Sequence, residues 1–143
     1  MSEICRILLI EDNPGDVLLV EESLREKNIA YELTHYDAAD VAIRAIGRYK
    51  IGSPDVPNVL LLDYSLPAGD ARDVLIAAAK NPALANTRKA VVTSSVSPHD
   101  RELAFRYGAE RFILKPGDLD EFLTEVGDAL RTLCEDATAV PAA

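Results

Sequence analysis

The chain has 143 residues, enough for one domain, and its 48% hydrophobic and 27% charged content is that of an ordinary globular protein. A net charge of −9 speaks against nucleic acid, which is bound through Lys and Arg at its phosphates, and against an anionic membrane surface. The charge fits a cation site, a basic protein partner or simple solubility, and does not separate them.

Taken in chain order, Ile4–Ile10 is a short apolar run closed by Glu11-Asp12, the pattern of a buried parallel strand. It is too short for a signal peptide, and nothing approaches a membrane helix, so a cytoplasmic location is expected. Asn13-Pro14 opens a helix to about Lys27, with Asn13 as cap and Val17, Val20 and Leu24 on its apolar face. Tyr31–Tyr36 alternates and predicts an edge strand. Asp37 is expected to cap a helix with Val41, Ala45, Ile46 and Tyr49 on one face, and residues 50–57 form a loop with Gly, Ser and two prolines.

Asn58–Asp63 is the most apolar strand and ends on a carboxylate. A turn through Leu66-Pro67-Ala68-Gly69 leads to a helix near Asp70–Lys80. Lys89–Thr93 is a fourth strand, followed by Ser94-Ser95. Ser97-Pro98 caps and starts a helix to about Tyr107, and Arg111–Leu114 is a fifth strand before Lys115-Pro116-Gly117. Asp118 with Glu121 has the spacing of a capping box for a last helix, with Leu119, Phe122, Leu123, Val126, Leu130 and Leu133 facing the core. Residues 1–135 form one domain in this reading, and 136–143 a flexible C-terminal tail.

Five strand–helix units predict an α/β fold, a doubly wound parallel sheet with helices on both faces. In the strand order 2-1-3-4-5 the first and third strands flank the switch point, and ligands bind beyond the carboxyl ends of the strands. Those ends carry Glu11-Asp12, Asp63, Thr93 and Lys115. Three crowded carboxylates repel by several kcal/mol, about 4 per pair at an effective dielectric near 20. A shared proton, Lys115 or a hard divalent cation such as Mg²⁺ must offset this, and the cation suits the oxygen donors best. Such a cation can clamp a phosphoryl group, with Asp63 as nucleophile, Asp12 as a direct metal ligand, Glu11 held through water, Thr93 as hydroxyl donor and Lys115 as counter-charge. Taken singly, each residue reads as a turn former, a helix cap or a strand-end hydroxyl; it is their joint placement at four strand ends that points to chemistry.

With Ile10-Glu11-Asp12, Leu62-Asp63-Tyr64-Ser65-Leu66-Pro67, Val92-Thr93-Ser94 and Leu114-Lys115-Pro116, the chain resembles the receiver domains of two-component response regulators from about Ile4 to Leu133. The segment Glu11–Asp16 and the longer loop before Asn58 resemble single-domain regulators, including phytochrome-associated ones. The resemblance implies a flavodoxin-like (βα)5 fold and a signalling switch that is no enzyme beyond its own phosphorylation and dephosphorylation. It implies that Asp63 accepts phosphate from a histidine kinase, with a photoreceptor kinase suggested by the subgroup. It implies Mg²⁺ held by Glu11, Asp12, Asp63 and the Ser65 main-chain carbonyl, and Thr93 with Phe112 as the switch pair. Ala71 replaces the Gly that many members carry after the phosphorylation site, which Ala can do only at negative φ.

Ser65 and Ser95 flank the expected phosphate and are expected to tune its lifetime. The face of helix 4, strand 5 and helix 5, with Arg101, Arg106, Arg111 and Glu110, is expected to bind a partner or form a homodimer. No output domain is expected after Leu133, and His35 and His99 read as ordinary polar residues. Cys5 and Cys134 have no metal-ligand spacing and are expected to be free thiols, although the proposed fold brings them to one edge. A flavin protein would want Ser, Thr and Gly where Glu11-Asp12 stand, and an Asp-nucleophile phosphatase would want Asp where Ser65 stands. The remaining alternative is an interaction module on the same fold that works without phosphate.

Overall fold

The computed structural model describes residues 3–66, 70–95 and 97–138. Five parallel strands, β1 (Cys5–Ile10), β2 (Tyr31–Tyr36), β3 (Val59–Leu62), β4 (Arg88–Thr93) and β5 (Arg111–Leu114), lie in the order β2-β1-β3-β4-β5. They alternate with α1 (Pro14–Glu26), α2 (Ala39–Arg48), α3 (Ala71–Lys80), α4 (Pro98–Arg106) and α5 (Leu119–Thr138). The doubly wound order is the expected one.

Successive strand residues point to opposite faces, so each central strand feeds two cores. Leu8, Ile10, Leu60, Leu62 and Val91 pack with α2, α3 and α4, while Ile7, Leu9, Val59, Leu61, Ala90 and Val92 pack with α1 and α5. All four residues of β3 are buried, as a strand covered on both faces requires. Each fully buried Leu or Ile there contributes about 1.5–3 kcal/mol of transfer free energy. Edge strand β2 keeps its polar alternate residues in solvent. Gly127, inside α5, marks a close approach to α1: a Cβ there would meet Lys27 Cγ at 2.8 Å and the Ser23 carbonyl at 3.2 Å.

The caps explain most helix starts. Asn13 Oδ1 accepts from the Gly15 and Asp16 amides, Asp70 from Arg72, Ser97 from Asp100 and Asp118 from Glu121. At α2 the expectation fails: Ala38, not Asp37, holds the cap position and offers no side-chain bond, because the helix starts one residue later. Its buried face is accordingly Ala39, Ala42, Ala45 and Ile46, with Val41 only half-buried. In α5, Leu119 is exposed, ahead of the first buried residue Phe122, and Leu123 is half-buried beside the packed face of Phe122 and Val126.

Ala71 is the first residue of α3 and buried, and the one non-Gly residue of positive φ among those described is Asn28, so Ala at position 71 demands no strained backbone. Helix α5 runs to Thr138 and so takes in the first three residues of the expected tail, with Ala137 packed on the α1–α5 core; residues 139–143, like Pro67, Ala68 and Gly69 of the expected turn, lie outside the described residues. The two cysteines are not free thiols: Cys5 and Cys134 form a disulfide, with Cα atoms 5.7 Å apart and both side chains buried. The first residue of β1 and the last turns of α5 pack in the same core, within the Cα range a disulfide needs. Among the described residues, no helix is long and apolar enough to cross a membrane.

Candidate phosphoacceptor and metal site

Two main-chain bonds place the central carboxylates. The Glu11 amide donates to the Tyr36 carbonyl at 3.0 Å, and the Asp63 amide donates to the Ile10 carbonyl at 2.9 Å. Each residue therefore continues its ladder one step past the strand, and the two meet beyond the carboxyl ends of neighbours β1 and β3. Thr93 ends β4 fully buried, and its carbonyl accepts from the Lys115 amide at 2.8 Å, which brings the lysine to the same rim.

From there the Lys115 side chain crosses to the switch point. Its Nζ lies 2.7 Å from Glu11 Oε1, 2.7 Å from Asp16 Oδ2 and 2.9 Å from Asp63 Oδ2. Lys115, Glu11 and Asp63 are almost wholly buried, at 8%, 1% and 7% side-chain exposure, and Asp16 is less so. Asp12 is exposed, and one ligand atom from each of Glu11, Asp12 and Asp63 lies within 4.8 Å of the others. The Ser65 amide donates to Asp63 Oδ1 at 3.0 Å, so the Ser65 peptide lies beside the acceptor.

The electrostatics follow from burial and contact. Burial pushes Glu11 up to about 7, with help from the facing Asp63 and against the pull of Lys115. Burial also pushes Asp63 upward, but the Ser65 amide and the Lys115 ammonium outweigh it and hold the carboxyl below its ordinary range. Lys115 loses from burial and gains more from three carboxylates, so it is raised and stays charged. Asp63 is thus the ionised member of the pair and Glu11 the reluctant one. Hard oxygen donors with one acid that resists ionisation fit a divalent cation, which would favour the ionised Glu11 that burial disfavours.

The remaining expected residues lie around this centre. Thr93 Oγ1 accepts from the Ser95 amide at 3.2 Å, and Ser95 Oγ donates to Asp100 Oδ2 at 2.6 Å, which ties the β4–α4 loop to α4. Ser65 is exposed, open to water beside Asp63. Phe112 is half-buried against the core, and the Arg101 guanidinium stands 5.9 Å from its ring centroid. On the α4–β5–α5 face Arg106 pairs with Glu102 and Glu110 with Arg88, while Phe105, Leu114 and Leu119 are exposed.

Two residues of the site were not read from sequence. In the sequence Asp16 stands out only as the end of the Glu11–Asp16 segment, although an acid in the first turn after Asp12 faces the same crevice. His35 Nε2 lies 2.7 Å from the Glu11 carbonyl, a cross-strand contact that no local signal announces.

Comparison with known proteins decides the family. The chain is 31% identical to the response regulator Rcp1 of Synechocystis sp. over 96% of its own length and 93% of that protein. The chain belongs to the response-regulator receiver family. It is also 28% identical to the transcriptional regulatory protein TrcR of Mycobacterium tuberculosis, where it spans 51% of the longer relative. No protein-family model matches the chain. Among solved structures, the Mn²⁺-bound form of Rcp1 superimposes with a TM-score of 0.81 at 28% identity, covering 97% of this chain and 99% of that one. The cyanobacterial phytochrome response regulator RcpA gives a TM-score of 0.80 at 23% identity over 98% of this chain and all of that one, a likeness of fold. As a response-regulator receiver, the chain carries its acidic cluster at the strand ends where this fold binds its ligands.

Proposed function

We propose that this receiver is a phosphorylation-dependent switch in which Asp63 accepts a phosphoryl group from a histidine kinase. The observation that carries this reading is the setting of Asp63: buried, ionised, 2.9 Å from Lys115 and within the three-carboxylate cluster. One Asp63 carboxylate oxygen forms the new O–P bond as the N–P bond of a phosphohistidine breaks, and the imidazole leaves with the electron pair. Lys115 meets the charge of the transferred group, and the Thr93 hydroxyl, fully buried at the end of β4, donates to one of its oxygens. Glu11, Asp12, Asp63 and the Ser65 carbonyl would hold Mg²⁺, which supplies positive charge against the phosphoryl oxygens. Rcp1, 28% identical and solved in a Mn²⁺-bound form, supports the choice of a divalent ion.

The chain is a switch rather than an enzyme: the only reactions it assists are its own phosphorylation and dephosphorylation. Thr93 and Phe112 couple the phosphate to the α4–β5–α5 face, where exposed Phe105, Leu114 and Leu119 offer a surface for a partner or a second copy. Moving such a surface from 1:99 to 99:1 takes roughly 5.5 kcal/mol of differential interaction. The resemblance of the Glu11–Asp16 segment to phytochrome-associated regulators, with the fold likeness to the cyanobacterial phytochrome response regulator RcpA, makes a photoreceptor kinase the partner to try first.

The test is incubation with acetyl phosphate and Mg²⁺, read by intact mass. One phosphate on wild type, absent without Mg²⁺ and absent in Asp63→Ala, supports the switch. An unmodified wild type that also takes no beryllofluoride overturns it in favour of an interaction module that works without phosphate.

A further inference from the structure

An ammonium group carries three N–H donors, and in Lys115 all three have acceptors: Glu11, Asp16 and Asp63. Under the function proposed above, on which this inference rests, two of those acceptors have other uses. Glu11 is a metal donor, and Asp63 takes the phosphoryl group. Asp16 has neither role and lies outside the three-carboxylate cluster.

The backbone around Asp16 is built for this contact. Asn13 Oδ1 accepts from the Gly15 and Asp16 amides, which makes Asp16 the third residue of α1. An acid at that position ordinarily reaches back to the amide of the cap residue. Here the Asn13 amide donates to Glu11 Oε2 at 3.2 Å instead, and the Asp16 carboxylate turns to Lys115 at 2.7 Å. The helix start thus gives up its usual reciprocal cap and directs a carboxylate at the lysine.

We propose that Asp16 is a positioning residue: a fixed anchor that holds the Lys115 ammonium at the phosphoryl site while Glu11 and Asp63 are committed elsewhere. A lysine stem is long and freely rotating, so an ammonium with no remaining anchor spends little time in the one place where it meets a phosphoryl oxygen. One N–H kept on Asp16 leaves two for the transferred group. Asp16 touches neither phosphate nor metal and acts through Lys115 alone.

The test uses the full chain with Asp16→Asn and with Asp16→Glu. In the presence of saturating Mg²⁺ alone, the Lys115 ammonium signal in a proton–nitrogen correlation spectrum is expected to persist in wild type and in Asp16→Glu and to vanish in Asp16→Asn. Phosphorylation by acetyl phosphate at saturating Mg²⁺ is expected to slow on the order of tenfold in Asp16→Asn, the scale of one hydrogen bond to a charged group. Asp16→Glu restores most of the rate, and Asp16→Asn brings no further loss when added to Lys115→Met. An ammonium signal that persists in Asp16→Asn, or an additive loss in the double variant, overturns the anchor. A wild type that takes no phosphate overturns the phosphoacceptor reading instead, and the ammonium signal then decides the anchor by itself.

Discussion

Cys5 and Cys134 are separated by 129 positions in sequence and joined by a disulfide, with Cα atoms 5.7 Å apart. The bond ties the first strand to the last helix at the amino-terminal end of the strands, opposite the acidic site. A cross-link over so long a loop removes much of the unfolded chain's freedom, about 4–5 kcal/mol in the chain-entropy account. Cys134→Ser, or reduction of wild type, is expected to lower unfolding stability by about 2–5 kcal/mol in a denaturant titration. Equal stability of the oxidised and reduced proteins would sink this expectation.

Lys115 pairs with three carboxylates from a nearly dry position, the one positive charge against all of them. Replacing it with Met, which keeps the stem, leaves buried charges uncompensated, a loss of about 3–5 kcal/mol for pairs of this kind. Part of that loss is relieved in mild acid, where Glu11 takes a proton. Added Mg²⁺ is expected to raise the melting temperature of Lys115→Met more than that of wild type, because the cation replaces the missing charge. Thermal unfolding with and without Mg²⁺ measures both effects.

Glu11 binds its proton more tightly when folded, at about 7 against an ordinary 4.5. Between those values the folded state holds more protons than the unfolded state, so stability falls as pH rises through the window. Asp63 is shifted downward and contributes the opposite slope only below its ordinary 3.8. Metal-free wild type is therefore expected to lose stability relative to Glu11→Gln as pH climbs from about 4.5 to 7. Parallel pH profiles of the two proteins would refute it.

Ser65 is exposed next to Asp63, whereas the Ser95 hydroxyl is held by Asp100 at 2.6 Å. Water reaches a phosphate on Asp63 most directly past Ser65. A bulkier side chain there, as in Ser65→Met, is expected to slow loss of the phosphate, and Ser95→Ala to act through the β4–α4 loop instead. Decay of the intact-mass adduct with time checks both; an unchanged rate in Ser65→Met removes its role.

Gly127 costs α5 about 1 kcal/mol relative to Ala in an exposed helix. Here a methyl would meet Lys27 Cγ at 2.8 Å and the Ser23 carbonyl at 3.2 Å. Gly127→Ala is therefore expected to bring none of the usual gain and to lower the melting temperature. A stabilised variant would show that α1 and α5 can part without penalty.

By itself the sequence determined the strands and the residues at their carboxyl ends, while the order of the strands came with the family resemblance. Residues 59–62 are apolar throughout because β3 is covered on both faces, and Asn13, Ser97 and Asp118 are caps whose bonds are local. Such signals span a few residues and survive in one dimension. The tertiary structure alone decided what lies far apart in sequence and close in space. The Lys115–Asp16 contact spans 99 positions, the Cys5–Cys134 bond 129, and His35 meets the Glu11 carbonyl across two strands. In the sequence Asp16 is one acid of the Glu11–Asp16 segment, and nothing local says where its carboxylate points. Only the path of Lys115 across the strand ends shows it.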